Sequence, residues 1–281
     1  MKRCKTVEAL RRELGKLRAG GKTVGLVPTM GALHEGHLTL VREARAKCDV
    51  VVVSVFVNPL QFGPNEDFES YPRRVAQDAK LLEACGADLL FVPTTETFYN
   101  PDHQTMIVNP AVQGLYCGKY RPGHFSGALT VVAKLFFAAQ PEFAFFGKKD
   151  WQQAWLIAKM VSDLNWPIRI VKVPTVRGKD GLALSSRNEY LDPKSRAGAP
   201  AIRAALVSLK KAQVSGERNV ARLAEEAKKT ISRAGGRVQY LEIVSQKSLL
   251  PLKSVSEPAV VLVAAFFGKT RLIDNIELSA R

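Results

Sequence analysis

PTMGALHEGHLTLV, Pro28 to Val41, lies between a short β-branched run, Thr23 to Val27, and a second apolar run, Val50 to Val57. Its back half repeats Leu38, Leu40, Val41 and Ala44 at roughly helical spacing, so the unit reads strand, loop, helix, strand. Gly31 and Gly36 permit positive φ and close backbone approach. A helix starting near Gly36 aims free N–H groups and the positive end of its dipole over the loop, which suits a polyphosphate. His34 and His37 sit in that turn. Neutral imidazoles hydrogen-bond phosphate oxygens, and a protonated one offsets the charge that builds up when an α-phosphate is attacked. Two plainer roles stay open for the pair, a zinc site and a histidine that caps the turn. Zinc needs further ligands at suitable spacing, and neither Cys48 nor Cys85 forms a CxxC or CxxH partner with these residues.

The alternation continues outward. Pro72 to Cys85 reads as a helix ended by Gly86, and Asp88 to Val92 as a strand. After an irregular stretch, Pro93 to Phe125, come a helix over Gly127 to Ala139, a strand over Glu142 to Phe146, a helix over Trp151 to Leu164 and a strand over Ile168 to Val173. This order predicts an α/β fold, a doubly wound, mostly parallel sheet that binds ligands at the carboxyl ends of its strands. Beyond Pro174 the pattern changes to helices over Pro193 to Val214 and Glu217 to Ala234, then strands over Val238 to Val244, Ala259 to Phe267 and Arg271 to Glu277. The boundary falls near Val176, giving a first domain over 1–176 and a smaller α+β domain over 177–281.

The chain has 281 residues, long enough for one sizeable core and a satellite domain, and its 46% hydrophobic content is ordinary for a globular protein. The longest apolar runs are too short to cross a bilayer as helices. The basic N-terminal segment places Val7, Leu10, Leu14 and Leu17 on one helical face and has no apolar core of a targeting peptide, so a cytoplasmic protein without a membrane partner is expected. Four scattered cysteines, Cys4, Cys48, Cys85 and Cys117, make neither a disulfide framework nor a metal box. The net charge of +15 raises the alternative of a nucleic-acid-binding protein. From Arg177 onward the chain carries 19 Lys and Arg against 10 Asp and Glu, but without an aromatic-interleaved basic stripe, and solvated helix faces account for most of them, so no nucleic-acid partner is expected.

Four further segments fall at ends of the expected elements. FVNPLQFGPNEDFESYPR, Phe56 to Arg73, offers the amides of Asn58 and Gln61, groups that both donate and accept and suit a hydroxylated, carboxylated small molecule. RPGHFSG, Arg121 to Gly127, leads an arginine and a histidine into a helix. In FFGKKDWQQ, Phe145 to Gln153, Gly147 allows a nucleotide close to the backbone and Lys149 supplies a compact charge for phosphate, while Asp150 suits the cap of the next helix. DGLALSSRNEYL, Asp180 to Leu191, reads as a mobile loop whose Ser185, Ser186 and Arg187 suit a phosphate clamp.

PTMGALHEGH carries the HxGH signature of nucleotidylyltransferases, with His34, Gly36 and His37 in place. Together with FVNPLQF, YPR, RPGHF, FGKKD, LSSRNEYL and the late LVAAFFGKTRLIDN, it resembles the pantothenate synthetase family over essentially the whole chain. The resemblance implies a Rossmann-like sheet of the HxGH nucleotidyltransferase type with a C-terminal domain closing over the site. It implies ATP-dependent joining of (R)-pantoate and β-alanine through a pantoyl adenylate, with release of AMP and diphosphate, and a homodimer. Position by position, it makes Met30, Gly31, Ala32, Leu33, His34, Glu35, Gly36 and His37 the ATP-binding loop, with His37 as proton donor. Gln61 is implied as a contact for pantoate and β-alanine, and Gln153 as a second pantoate contact. The remaining implied ATP contacts are Gly147, Lys148, Lys149, Asp150, Val176, Leu184, Ser185, Ser186 and Arg187. Magnesium would bridge phosphate oxygens. Asp78 is a candidate metal-side carboxylate, with a solvent-facing acid as the plainer alternative. Two positions depart from the family pattern: Lys148 stands where an acid is common, and Leu184 where methionine is. Another nucleotidyltransferase of the superfamily would share the two histidines but not Gln61, Gln153 and SSRN as a set.

Overall fold

In the computed structural model, which describes residues 1–18, 20–64 and 66–280, the chain divides into two units. The first comprises Met1–Lys148 and Gln153–Pro174, the second Lys149–Gln152 and Thr175–Arg281. The division therefore falls two residues before the expected boundary and assigns the four-residue segment after Lys148 to the C-terminal unit.

In the first unit, β1 (Lys2–Cys4) and α1 (Val7–Arg18) precede β2 (Val24–Thr29), α2 (Glu35–Lys47) and β3 (Val50–Val55). α3 (Val75–Ala84), β4 (Leu89–Phe91), the short α4 (Thr95–Phe98) and α5 (Cys117–Tyr120), α6 (His124–Ala139), β5 (Phe143–Gly147), α7 (Trp151–Asp163) and β6 (Arg169–Val173) follow. All six strands are parallel, in the order β1-β4-β3-β2-β5-β6. This is the doubly wound sheet read from the sequence, with β1 as an added edge strand too short for periodicity to register. The chain runs outward in opposite directions from β2, so the loop after β2 lies at the switch point where such sheets bind ligands. Val24, Val27, Val51 and Val53 have essentially no exposure. Strands covered on both faces are continuous apolar runs for this reason.

Gly25 shows how tightly the helix α2 end packs on this sheet: a Cβ there would meet Cys48 Sγ at 2.8 Å. Burial raises the Cys48 thiol to about 11, so it acts as a small apolar side chain. The basic N-terminal segment also has a structural use. Arg11 donates to the carbonyl of Phe137 at 3.0 Å and Arg18 to that of Ala139 at 2.9 Å, which satisfies carbonyls at the end of α6.

In the second unit α8 (Pro193–Gly198), α9 (Ala201–Val214) and α10 (Val220–Arg233) cover one antiparallel sheet of β7 (Arg237–Ser245), β8 (Ala259–Phe267) and β9 (Thr270–Leu278), in sequence order. Leu206, Ile231, Leu241, Ile243, Val261 and Val263 share its core. The single helix expected over Pro193 to Val214 is two helices, because Pro200 has no N–H to continue the first ladder. Among the described residues no helix is long and apolar enough to cross a membrane.

Candidate active site

The loop between β2 and α2 is wound tightly. Gly31 has φ 88° and Ala32 φ 50°, and a Cβ on Gly31 would meet Val55 Cγ1 at 2.9 Å. Left-handed backbone at a non-glycine residue is strained and persists only when its surroundings hold it. Asp78, on α3, does so. Its two carboxylate oxygens accept the N–H of Ala32 at 3.0 Å and of Leu33 at 2.9 Å, and the residue is only 1% exposed. Burial raises the Asp78 pKa, while the two loop N–H groups act in the opposite direction. Asp78 is therefore not the solvent-facing acid of the plainer reading. Each of its oxygens is engaged by one loop N–H, which gives this carboxylate the task of holding the loop. Among the described residues no group of three His, Cys, Asp or Glu could hold an ion, which also leaves the zinc reading without ligands.

The two histidines form a capping box. His34 is the N-cap of α2, and its Nδ1 accepts the N–H of Gly36 at 3.1 Å; His37 Nδ1 accepts the N–H of His34 at 3.3 Å. An Nδ1 that accepts carries no proton, so each neutral ring is fixed as the Nε2–H tautomer. The rings lie 4.1 Å apart with planes 34° apart. A Cβ at position 36 would press against the His34 ring at 2.9 Å, which explains the glycine between the histidines. Capping and ligand binding thus use opposite ring nitrogens and do not compete. Of the other loop residues, Gly31 and Ala32 are buried, Met30 and Leu33 half-buried, and Glu35 is exposed and paired with Arg42 at 2.5 Å.

Gln61 closes the 3₁₀ turn Pro59–Gln61 after β3 and is 7% exposed. Its Oε1 accepts from Asn58 Nδ2 at 3.1 Å, and its Nε2 lies 3.1 Å from Met30 Sδ, which places it directly against the histidine loop. One N–H and one acceptor site of Gln61 remain. Asn58, paired with it in the sequence reading as a substrate amide, is different. Its Nδ2 also donates to the Gly127 carbonyl at 3.1 Å, and its Oδ1 accepts from the Tyr99 hydroxyl at 2.9 Å and the Leu60 N–H at 3.4 Å. That uses the whole hydrogen-bonding capacity of Asn58, which orients Gln61 instead of meeting a ligand.

The RPGHF segment also acts on Gln61. Arg121 pairs with Glu66 through Nε at 2.7 Å and through Nη2, and its Nη1 lies 2.9 Å from His124 Nε2. His124 Nδ1 is 2.8 Å from the main-chain oxygen of Gln61. Arginine can only donate, so His124 accepts at Nε2 and donates from Nδ1. In sequence these residues do no more than lead into a helix, and only their spatial meeting with Gln61 assigns them a task.

Gln153 lies half-buried in the first turn of α7, and Gly147 ends β5; Lys148 is half-buried in the 3₁₀ turn Lys148–Asp150. In the second unit, Lys149 Nζ lies 3.6 Å from the exposed Asp150. Val176 and Leu184 face each other across a hairpin, the Leu184 N–H donating to the Val176 carbonyl at 3.0 Å. Ser185 caps a 3₁₀ turn, Ser186–Tyr190, that includes Arg187 and lies within the stretch expected as a mobile loop.

A family model described as pantoate-beta-alanine ligase matches residues 2–277. The pantothenate synthetase of Pseudomonas savastanoi pv. phaseolicola is 47% identical over 281 residues, covering 99% of each chain. The solved pantothenate synthetase of Thermus thermophilus matches with TM-score 0.94 and 45% identity, over 99% of this chain and 100% of that one. The pantoate-beta-alanine ligase of Francisella tularensis, solved in complex with beta-gamma ATP and beta-alanine, matches with TM-score 0.82 and 34% identity, over 98% of this chain and 97% of that one.

Proposed function

The chain belongs to the pantoate-β-alanine ligase family, and on that premise we propose that it makes pantothenate from (R)-pantoate and β-alanine, with ATP as the activating substrate. The observation that carries this reading is the pair of Nε2–H imidazoles at the N-terminus of α2, on a loop whose Met30 packs against a buried glutamine. The pantoate carboxylate attacks the α-phosphate of ATP, a P–O bond forms, and diphosphate leaves with the electrons of the broken bond. The amine of β-alanine then attacks the acyl carbon of the pantoyl adenylate, AMP leaves, and the amine releases its proton. No enzyme nucleophile is needed; positioning and charge stabilisation supply the catalysis.

His34 and His37 donate from Nε2 to phosphate oxygens, reinforced by the helix dipole, and His37 is the proton donor in this reading. Met30 to His37, Gly147 to Asp150, Val176 and Leu184 to Arg187 are the ATP contacts. The remaining donor and acceptor of Gln61 serve pantoate and β-alanine, and Gln153 serves pantoate. Magnesium comes with the triphosphate; among the described residues no cluster of three His, Cys, Asp or Glu side chains would cage it, and no step above depends on one. The free thiols fit a cytoplasmic location, and a homodimer completes the reading.

Diphosphate release decides the matter. Mixed with ATP, the protein should release diphosphate with pantoate, and AMP should accumulate as pantothenate forms once β-alanine is added. Release with nicotinate mononucleotide or phosphopantetheine instead of pantoate would identify a different transferase.

A further inference from the structure

The late segment LVAAFFGKTRLIDN forms β8, its turn and β9, and the reaction above uses none of it. Two neighbouring residues on β9, Asp274 and Asn275, are 5% and 7% exposed, unusual for polar side chains. Successive strand residues point to opposite faces. Asp274 shares its face with Leu272 and Ile276 of the core, and Asn275 lies on the other.

Each holds a different segment. Asn275 Nδ2 donates to the main-chain oxygen of Lys149 at 2.9 Å, across 126 residues of sequence. Asp274 takes Arg177 in a bidentate pair at 2.7 and 2.9 Å, and Arg177 Nη1 also donates to the Gly181 carbonyl at 3.1 Å. The Arg177 end of this pair belongs to the hairpin Val176–Leu184, closed by the Gly178 N–H on the Leu182 carbonyl at 2.9 Å. Asn188 extends the chain of contacts by donating to the Ala183 carbonyl at 3.1 Å, and Thr270, at the start of β9, donates to the Tyr190 carbonyl at 3.3 Å. Planar bidentate pairs fix orientation as well as distance.

We propose that Asp274 and Asn275 are positioning residues for ATP: one strand fixes both nucleotide-binding segments of the second unit, Lys149 through Asn275 and Leu184 to Arg187 through the Asp274–Arg177 pair. Neither side chain touches the nucleotide. The inference rests on the assignment of those segments to ATP made above. It also accounts for the four residues Lys149–Gln152 grouping with the second unit.

The test compares Michaelis constants in Asn275→Ala, Asn275→Asp and Arg177→Lys. Asn275→Asp keeps the shape but removes the donor, and Arg177→Lys keeps the charge but cannot form the planar pair. Each folded variant should raise the KM for ATP roughly tenfold, the loss of one buried hydrogen bond or pair, and leave those for pantoate and β-alanine within about twofold. An unchanged ATP KM in any folded variant, or an equal rise for all three substrates, would overturn the proposal. Should Asn275→Ala fail to fold, the two conservative variants decide. The wild-type protein separates the two levels: if it releases diphosphate only with another acceptor, the assigned substrate is wrong, and the ATP KM measured with that acceptor still tests the roles of Asp274 and Asn275.

Discussion

His34 joins a structural role to a chemical one within a single ring, and the two can be separated. Nδ1 caps α2, and Nε2 carries the proton that faces away from the cap. Asparagine is among the best N-cap residues, whereas alanine at such a position costs about 1 kcal/mol. His34→Asn should therefore melt close to the wild type yet release diphosphate roughly a hundredfold more slowly, the usual loss for one charge-stabilising donor. His34→Ala should lose both rate and stability. A thermal melt beside a diphosphate assay checks the pair of variants, and normal turnover in His34→Asn would remove the ring from the reaction. Asn58 teaches the complementary lesson at this scale. It sits beside Gln61 in sequence and has the same functional group, but its hydrogen bonds are complete and those of Gln61 are not.

Two elements hold the loop and the substrate glutamine in place. The first is α6, whose Gly127 lies so close to the 3₁₀ turn that an added Cβ would meet the Leu60 carbonyl oxygen at 2.1 Å. Backbone cannot yield there as a flexible side chain would. Gly127→Ala should force the turn away from α6, destabilise the protein by about 1–3 kcal/mol, and raise the KM for pantoate more than that for ATP. Urea unfolding and steady-state kinetics measure the two effects. The second is α3, through Asp78. Its pKa is raised in the folded protein above the ordinary 3.8, chiefly by burial. The folded state then binds the proton more tightly than the unfolded chain, so this group's contribution to stability is full below pH 3.8 and is lost as pH rises through the raised value. Asp78→Asn abolishes that dependence. The stability of wild type relative to Asp78→Asn should fall as pH rises from below 3.8 and become level above the raised pKa. A difference that grows with pH across that window would contradict the burial-dominated shift.

At the scale of the molecule the chain builds two cores, one on each sheet. Ile231 has no exposure in the second. Ile231→Ala should lower unfolding free energy by about 2–5 kcal/mol, the ordinary cost of emptying a buried aliphatic site. It makes none of the contacts assigned to ATP or pantoate, so at temperatures where the variant stays folded diphosphate release should remain within about twofold of the wild type. Chemical unfolding followed by the same assay tests both statements. The charge of +15 also finds part of its explanation at this scale. Arg11 and Arg18 end α6, and Arg177 is held by Asp274, so several of the cations are structural partners rather than a surface for a polyanion.

The order of the longer strands and helices, the parallel sheet and the glycine-bracketed histidine turn were legible in the residues themselves, whereas β1, α4 and α5 were too short to register. Apolar periodicity, β-branched runs and glycine punctuation are local properties, and a doubly wound sheet follows from their alternation. The motifs that signal phosphate chemistry are equally local, being a few residues at the end of one strand. Element ends shifted by a residue or more, and Pro200 divided a helix that periodicity alone ran together. What only the tertiary structure decided is which polar groups are already satisfied. Asp78 meets Ala32 and Leu33, His124 meets the Gln61 carbonyl, and Asn275 meets Lys149. Each of these hydrogen bonds joins residues 45 to 126 positions apart. Such pairings depend on how the sheets order and the loops turn, and no periodic pattern carries that information. A polar side chain reads the same in sequence whether its hydrogen bonds are spent on the fold or left for a ligand, and that difference separates Asn58 from Gln61.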